Sequence, residues 1–265
     1  MQAGMNHIRR LLDEGKPTVA TRIKSMWPTI AETAAAAGIF DYLEFLAEYA
    51  PYDQYGMENF VRSCELHGVG SMCKVDFQNR FYAAQKAMAA GFQAILFTDH
   101  HDAEQVRDTI AHVLPESPEY GGHFGFPNAR WIGNTGFTGQ ESYQAVCASA
   151  VKAFMIEKKE AVDNIEAICK VPGVDMVQFG PFDYCMSRGW NIREHAADLR
   201  EIEAHIIEVA LENGVHPRCE LFDAEGAGWY RELGVRHYNI GEEIIALKRY
   251  WSQEGAVVRK VADEA

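Results

Sequence analysis

The sequence predicts one α/β domain over 1–265, of the (β/α)8 or TIM-barrel class: eight parallel strands ringed by helices. Three observations point there. Short apolar runs alternate with helix-patterned stretches and count to eight units, punctuated by turn glycines at Gly38, Gly91, Gly173, Gly214 and Gly234. The 265 residues, 48% hydrophobic, suffice for one large core and lie in the usual size range of a single barrel. No GxGxxG follows the first strand, which argues against an open doubly wound sheet.

Taken in order, residues 6–14 read as a short amphipathic helix ended by Gly15 and Pro17. Strand one is expected at 18–23, then a loop with Met26, Trp27 and Pro28, then an alanine-rich helix over 29–37 that stops at Gly38. Strand two is expected at 41–46, with 47–51 at its exit. Strand three spans 68–75, with Lys74 near its end, and a helix follows at 81–90. Strand four, 94–97, leaves Thr98, Asp99, His100, His101 and Asp102 in the next loop, ahead of a helix over 103–113. The rhythm then breaks. Residues 114–144 carry Pro115, Pro118, several glycines and the aromatics Tyr120, Phe124, Phe126, Trp131 and Phe137, a composition that predicts an ordered functional loop or an association surface. Strands five and six end at Ile156 and Phe179. Strands seven and eight are expected at 217–221 and 237–240, with later helices over 199–212, 226–233 and 244–251 and a tail, 253–265, that frays or docks on a neighbour.

A net charge of −13 and a pI near 5.2 argue against nucleic acid or an acidic membrane surface as partner, since both want clustered Lys and Arg. A small carboxylate substrate is still compatible, because a local cation can dominate a pocket. Six cysteines without a CxxC pair exclude a zinc or disulfide framework and suit buried thiols in a reducing cytoplasm. The N-terminal stretch has no secretion pattern and no apolar run reaches membrane-spanning length, so a soluble, cytoplasmic protein is expected.

Two isolated acids carry the chemistry. Glu157 follows the apolar run 153–156, Asp183 follows the apolar run ending at Phe179, and a helix-patterned crossover separates them. In parallel α/β folds ligands sit at the carboxyl ends of strands, so both acids are expected to face one pocket. Two carboxylates plus water and substrate oxygens are what a hard divalent ion such as Mg²⁺ uses. The plainer reading is a helix N-terminal acid at Glu157 and a turn cap at Asp183.

The wording around these acids, an apolar strand ending in IE, then KKEAVDNIEAI, then PGVDMVQFGPFDY, resembles the HpcH/HpaI aldolase family, also called the aldolase/citrate lyase family. The resemblance extends from Gly15 to about Leu247. It implies a barrel enzyme, commonly a trimer or trimer-based hexamer, that cleaves or forms a carbon–carbon bond next to a 2-oxo acid with Mg²⁺ or Mn²⁺. It carries the metal ligands onto Glu157 and Asp183 and places Gly180 and Pro181 beside the substrate. Departures are specific. Where the family has Asp-Gly-Glu-His-Ala-Pro after strand two, this chain has Leu46-Ala47-Glu48-Tyr49-Ala50-Pro51, so the proton-transfer histidine becomes Tyr49 and its aspartate Leu46. The strand-three arginine becomes Lys74, the Arg-Gly after strand four becomes roughly His123-Phe124-Gly125, and the glutamine two before the metal glutamate is Met155.

The catalytic set expected from this pattern is Lys74 or Arg22 to neutralise the substrate carboxylate, with Tyr49 or His101 to handle protons. Tyrosine is a poor base at neutral pH but a capable donor, and lysine keeps arginine's charge without its fork. His100 shares the loop of His101, and a capping or interface role is the other reading of both. Glu220, inside strand seven, is expected to pair with Arg218 or Lys74. His123, His195, His216 and His237 have weaker positional claims. The readings are a metal-dependent lyase, a related barrel enzyme with changed chemistry (decarboxylase, hydrolase or synthase), and a silent ligand-binding homologue, against which the retained carboxylate pair weighs.

Overall fold

The computed structural model describes residues 6–126, 130 and 139–264. Strands β1 (Thr18–Ile23), β2 (Tyr42–Leu46), β3 (Gly70–Lys74), β4 (Ala94–Phe97), β5 (Val151–Ile156), β6 (Met176–Phe179), β7 (His216–Leu221) and β8 (His237–Glu242) pair in chain order, all parallel, and β8 closes on β1. Every residue of β2 to β6 is buried. That follows from a strand covered inside by its neighbours' side chains and outside by helices, and it explains why these segments read as unbroken apolar runs.

The two strand faces have different chemistry, because alternate residues point to opposite sides. Outward residues such as Leu43, Phe45, Ile95, Phe97, Phe154 and Val177 build the main core beneath the helices. Inward residues change character along the barrel axis. At the amino-terminal end Ala20, Met72, Ala94, Ala153 and Met176 pack with Ile8 and Leu12 of α1 (His7–Asp13), which plugs the barrel floor. Two residues further on, the same inward column reads Arg22, Lys74, Leu96, Met155 and Gln178, so charge gathers at the carboxyl-terminal mouth.

The surrounding helices are α2 (Pro28–Ala36), α3 (Gln54–Leu66), α4 (Arg80–Ala90), α5 (Ala103–Val113), α6 (Gln140–Ala148), α7 (Lys159–Asp163), α8 (Ile165–Cys169), α9 (Pro181–Arg188), α10 (Ala196–Glu212), α11 (Ala227–Glu232) and α12 (Glu243–Asp263). The sequence reading assigns no element to 52–67, yet α3 forms there. Met57, Phe60, Val61 and Cys64 make a helical apolar stripe, and the Asp53 carboxylate accepts the Gly56 N–H at 2.6 Å as an N-cap. The crossover expected as one helix is two short ones, α7 and α8, broken at Asn164.

The 114–144 segment is also corrected in part. Phe124 bridges back to Pro115, where Gly122 passes so close to the Leu114 carbonyl that an added Cβ would stand 2.0 Å from its oxygen. From Gln140 onward the chain is helical, Tyr143 is buried, and Arg130 reaches Glu65 of α3 at 3.0 Å. Trp131 and Phe137 lie outside the described residues. The tail expected to fray is helical to Asp263, yet no residue of α12 is buried. All six cysteines are free and buried, and among the described residues no helix is long and apolar enough to cross a membrane.

Candidate active site

A cleft of about 420 Å³ opens at the carboxyl-terminal mouth of the barrel, and Arg22, Tyr49, Lys74, Glu157, Gly180, Pro181 and Asp183 all line it. Glu157 follows the last residue of β5 and is only 1% exposed. Its Oε1 accepts the Asp99 N–H at 2.9 Å, while its Oε2 has no partner. Burial raises the carboxyl to about 7, against the opposing pull of the Lys74 charge and the Asp99 bond. A buried, half-satisfied carboxylate is costly unless something else occupies it.

Two backbone features hold that carboxylate. Asp99, just past β4, has φ 59°, the one non-glycine residue at positive φ among those described, a conformation that costs roughly 1–3 kcal/mol. It aims its N–H at Glu157 and its side chain at Lys158. On the other side, a Cβ at Gly180 would fall 2.8 Å from both Cβ and Oε2 of Glu157, so only glycine lets the β6 exit pass this close. Pro181 then starts α9 at a position where a missing N–H is harmless.

Asp183 therefore sits in the first turn of α9 rather than at a strand end, half-buried on the cleft wall, where the helix dipole favours its charge. Asp183, Glu157 and Tyr49 line the same cleft, and the charges of both acids add to the upward shift of the Tyr49 hydroxyl. Among the described residues no cluster of three or more His, Cys, Asp and Glu forms a metal cage. Two oxygen donors, one with an orphaned buried atom, could hold a hard divalent ion that completes its shell with water and substrate oxygens.

Lys74, at the end of β3, is buried. Burial alone would depress its ammonium, but the charges of Glu157 and Glu48 outweigh it and hold the group above its ordinary value. Glu48, in the turn after β2, forms an ion pair with Lys74, its Oε2 2.6 Å from Lys74 Nζ. The sequence reading passed over Glu48, although it is adjacent to Tyr49 in the same exit turn. Tyr49 is 66% exposed and its ring centroid is 5.8 Å from Lys74 Nζ. Desolvation first and the Glu48 charge second raise its hydroxyl above the ordinary value, so it keeps its proton at neutral pH.

Arg22 reaches the cleft, but its guanidinium is held by two carboxylates: Nε lies 3.2 Å from Glu44 Oε1, and Nη2 contacts Glu220. Glu220 thus pairs with Arg22, not with Arg218 or Lys74, and it also accepts from Gln178 at 3.2 Å. Arg218 instead binds Glu44 in the barrel interior, both side chains fully removed from solvent, with its Nε donating to the Tyr42 hydroxyl at 2.9 Å.

The histidine expectations are corrected. His101 is half exposed on the outer side of the β4 exit, with Nδ1 3.3 Å from Glu160 Oε2, and it does not line the cleft. Asp102 beside it caps α5, accepting the N–H groups of Glu104 and Gln105 at 2.9 Å each. His100 points the other way, fully buried against Arg80 and Thr109, where desolvation lowers it to about 3 and keeps it neutral. His123 packs against His112, His195 stacks on Trp190, and His216 packs against His237 at the barrel floor. Among the described residues lining the cleft there is no histidine. The lining also includes Phe182 beside Asp183 in α9, Phe222 just past β7, Glu203 of α10 and Tyr230 of α11, none of which the sequence reading singled out.

The model of the HpcH/HpaI aldolase/citrate lyase family matches residues 72–243, well over half of the chain. The chain is 23% identical over 264 residues to the hydroxypyruvate/pyruvate aldolase of Paraburkholderia phytofirmans, covering 98% of this chain and 100% of that protein. It is 28% identical over 190 residues to the 4-hydroxy-2-oxovalerate aldolase of Novosphingobium aromaticivorans, covering 71% of this chain and 70% of that one. Among solved structures, an HpcH/HpaI aldolase/citrate lyase family protein from Burkholderia cenocepacia superposes with a TM-score of 0.86 at 23% identity, covering 96% of this chain and 100% of that one, a likeness that speaks for the fold. The matched span contains both acid motifs and Lys74, and on the strength of that match the chain belongs to the HpcH/HpaI aldolase/citrate lyase family.

Proposed function

We propose that this chain is a divalent-metal-dependent carbon–carbon lyase of the aldolase type, acting on a small 2-oxo acid. The observation that carries the reading is the unpartnered, buried Oε2 of Glu157, which shares one cleft with Asp183 and Lys74. Glu157 and Asp183 would hold the ion, Mg²⁺ or Mn²⁺, whose chemistry is Lewis-acid polarisation of the substrate's carbonyl and carboxylate oxygens. Lys74 supplies a fixed ammonium in a low-dielectric setting beside the place where negative charge develops. Glu48 holds that ammonium in position. Tyr49, kept protonated, is suited to donate rather than to abstract a proton. Gly180 and Pro181 keep the wall beside Glu157 clear, and Arg22, already neutralised, lends shape more than charge. Names borne by relatives, pyruvate and hydroxypyruvate aldolases among them, support the substrate class.

The cleft without imidazole favours one other reading: the same barrel and ion with altered proton chemistry, such as a decarboxylase or synthase. Metal analysis and exchange of the pyruvate methyl protons in D₂O, with and without chelator, form the first test. Exchange that needs Mn²⁺ or Mg²⁺ supports the aldolase reading, and its absence at saturating metal removes that reading.

We infer further that the chain acts as a homo-oligomer, a trimer or hexamer, because α12 exposes Ile244, Leu247, Trp251, Val258 and Val261 along one helical face. Six buried free thiols support a reducing, cytoplasmic setting.

A further inference from the structure

The cleft continues past the acid pair to a second polar end built from α10 and α11. There Tyr230 Oη donates to Glu203 Oε1 at 3.0 Å. Phe182 and Phe222 stand on the same lining, their rings edge to face at 6.3 Å and more than half exposed. A molecule held at Glu157, Asp183 and Lys74 and long enough to fill the cleft has these two aromatic faces, Glu203 and Tyr230 on its walls.

The charges decide what that far end accepts. The acids on the lining are Glu157, Asp183, Glu203 and Glu220, and the cations are Arg22 and Lys74. Each cation is already paired, Arg22 with Glu44 and Glu220, Lys74 with Glu48. Arg200, which acts on Glu203, is off the lining, its guanidinium 5.0 Å from the Trp229 ring centroid. Nothing on the lining at the far end compensates an incoming anion, whereas a carboxyl and a phenol together accept hydrogen bonds from hydroxyl or ammonium groups. Aromatic faces also suit a chain of C–H groups or a cation. Rejection of a like charge in a pocket is worth more than the gain of one hydrogen bond, so the exclusion sets the preference.

We propose that Glu203 and Tyr230 form a distal specificity subsite that takes the hydrogen-bond-donating end of a neutral or cationic acceptor aldehyde and excludes anionic semialdehydes. This rests on the aldolase reading above. Burial raises Glu203 to about 7, so the assay belongs at pH 8, where the carboxylate form dominates.

The test compares kcat/KM for pyruvate plus glyceraldehyde with kcat/KM for pyruvate plus succinic semialdehyde, using the full chain with Mn²⁺. The expected result is at least a tenfold preference for glyceraldehyde. Glu203→Lys should shift that ratio tenfold or more toward succinic semialdehyde, through KM more than kcat. Glu203→Gln, which removes the charge and keeps a side-chain oxygen that can accept from the Tyr230 hydroxyl, should give an intermediate shift and decides the question if the lysine variant does not fold. A wild-type preference for succinic semialdehyde overturns the inference, as does a ratio unchanged within twofold in the folded variants. Pyruvate methyl exchange in the wild type needs no aldehyde and separates the two levels. Its absence removes the aldolase reading and this inference with it; exchange with the wrong acceptor preference, or with neither acceptor turned over, removes the inference alone.

Discussion

Glu157 is where stability and function oppose each other. Its folded carboxyl keeps its proton to about 7, whereas an unfolded one releases it near 4.5, so between those values the folded state binds more protons. Stability of the metal-free protein therefore falls as pH rises through that interval. Glu157→Gln should remove this penalty and stabilise the metal-free protein at pH 8 by up to about 3 kcal/mol, while abolishing the stabilisation that Mn²⁺ confers on the wild type. Urea titrations at pH 5 and pH 8, with and without Mn²⁺, check both halves, and an unchanged metal effect in the variant would remove Glu157 as a ligand. Glu203 is raised into the same range, so Glu203→Gln is the control for the pH effect. Lys74 gives the complementary prediction. Lys74→Met should cost about 10² to 10³ in turnover, as loss of a preorganised donor does, with far less effect on Mn²⁺ affinity. It also strands Glu48, so Lys74→Met with Glu48→Gln should recover stability but not turnover. Near-normal kcat in Lys74→Met would make the lysine structural.

At the scale of elements, the site is made where strands stop. The β4 exit accepts an uncommon backbone conformation at Asp99 to donate one N–H, and the β6 exit gives up a side chain at Gly180 to approach Glu157. Gly180→Ala should weaken Mn²⁺ affinity at least tenfold and destabilise by about 1–3 kcal/mol, because the added methyl meets the carboxylate and Met155 Cε at under 3 Å. Isothermal titration with Mn²⁺ measures the first effect, and unchanged affinity would mean that α9 moves to make room. Barrel strands rich in local apolar signal were legible: β4 and α5 fall where the alternation places them. Helix α3 was missed because Gly56 and the polar residues around it hide a stripe that counts only once its apolar face has a core to meet.

For the whole molecule, α12 is the element on which the proposed assembly turns. The helix is tied to the barrel at its start, where Glu243 accepts the Lys24 and Ser25 N–H groups and Arg249 donates to the Phe222 carbonyl, but none of its twenty-one residues is buried, and the apolar face from Ile244 to Val261 predicts cover by another copy. The wild type should sediment as a trimer or hexamer, and Trp251→Glu with Val258→Glu should reduce its mass without loss of helical signal in circular dichroism. A monomeric wild type in analytical ultracentrifugation would contradict this.

The sequence by itself determined the strand and helix alternation, the count of eight and the two acids that follow strands five and six. Those features are local: periodicity, turn glycines and a motif whose residues lie within one βαβ unit. It also placed Lys74 at a strand end. Only the tertiary structure decided the partners. Arg22 meets Glu220 across 198 residues and Arg218 meets Glu44 across 174, because barrel closure puts β1 beside β8 and aims inward columns at one axis. Neighbours in sequence were likewise separated, with His100 packed into the core and His101 turned to solvent. Which of two adjacent side chains faces a cleft, and which charge it finds there, depends on the register of strands far apart in the chain, and no local pattern encodes that register.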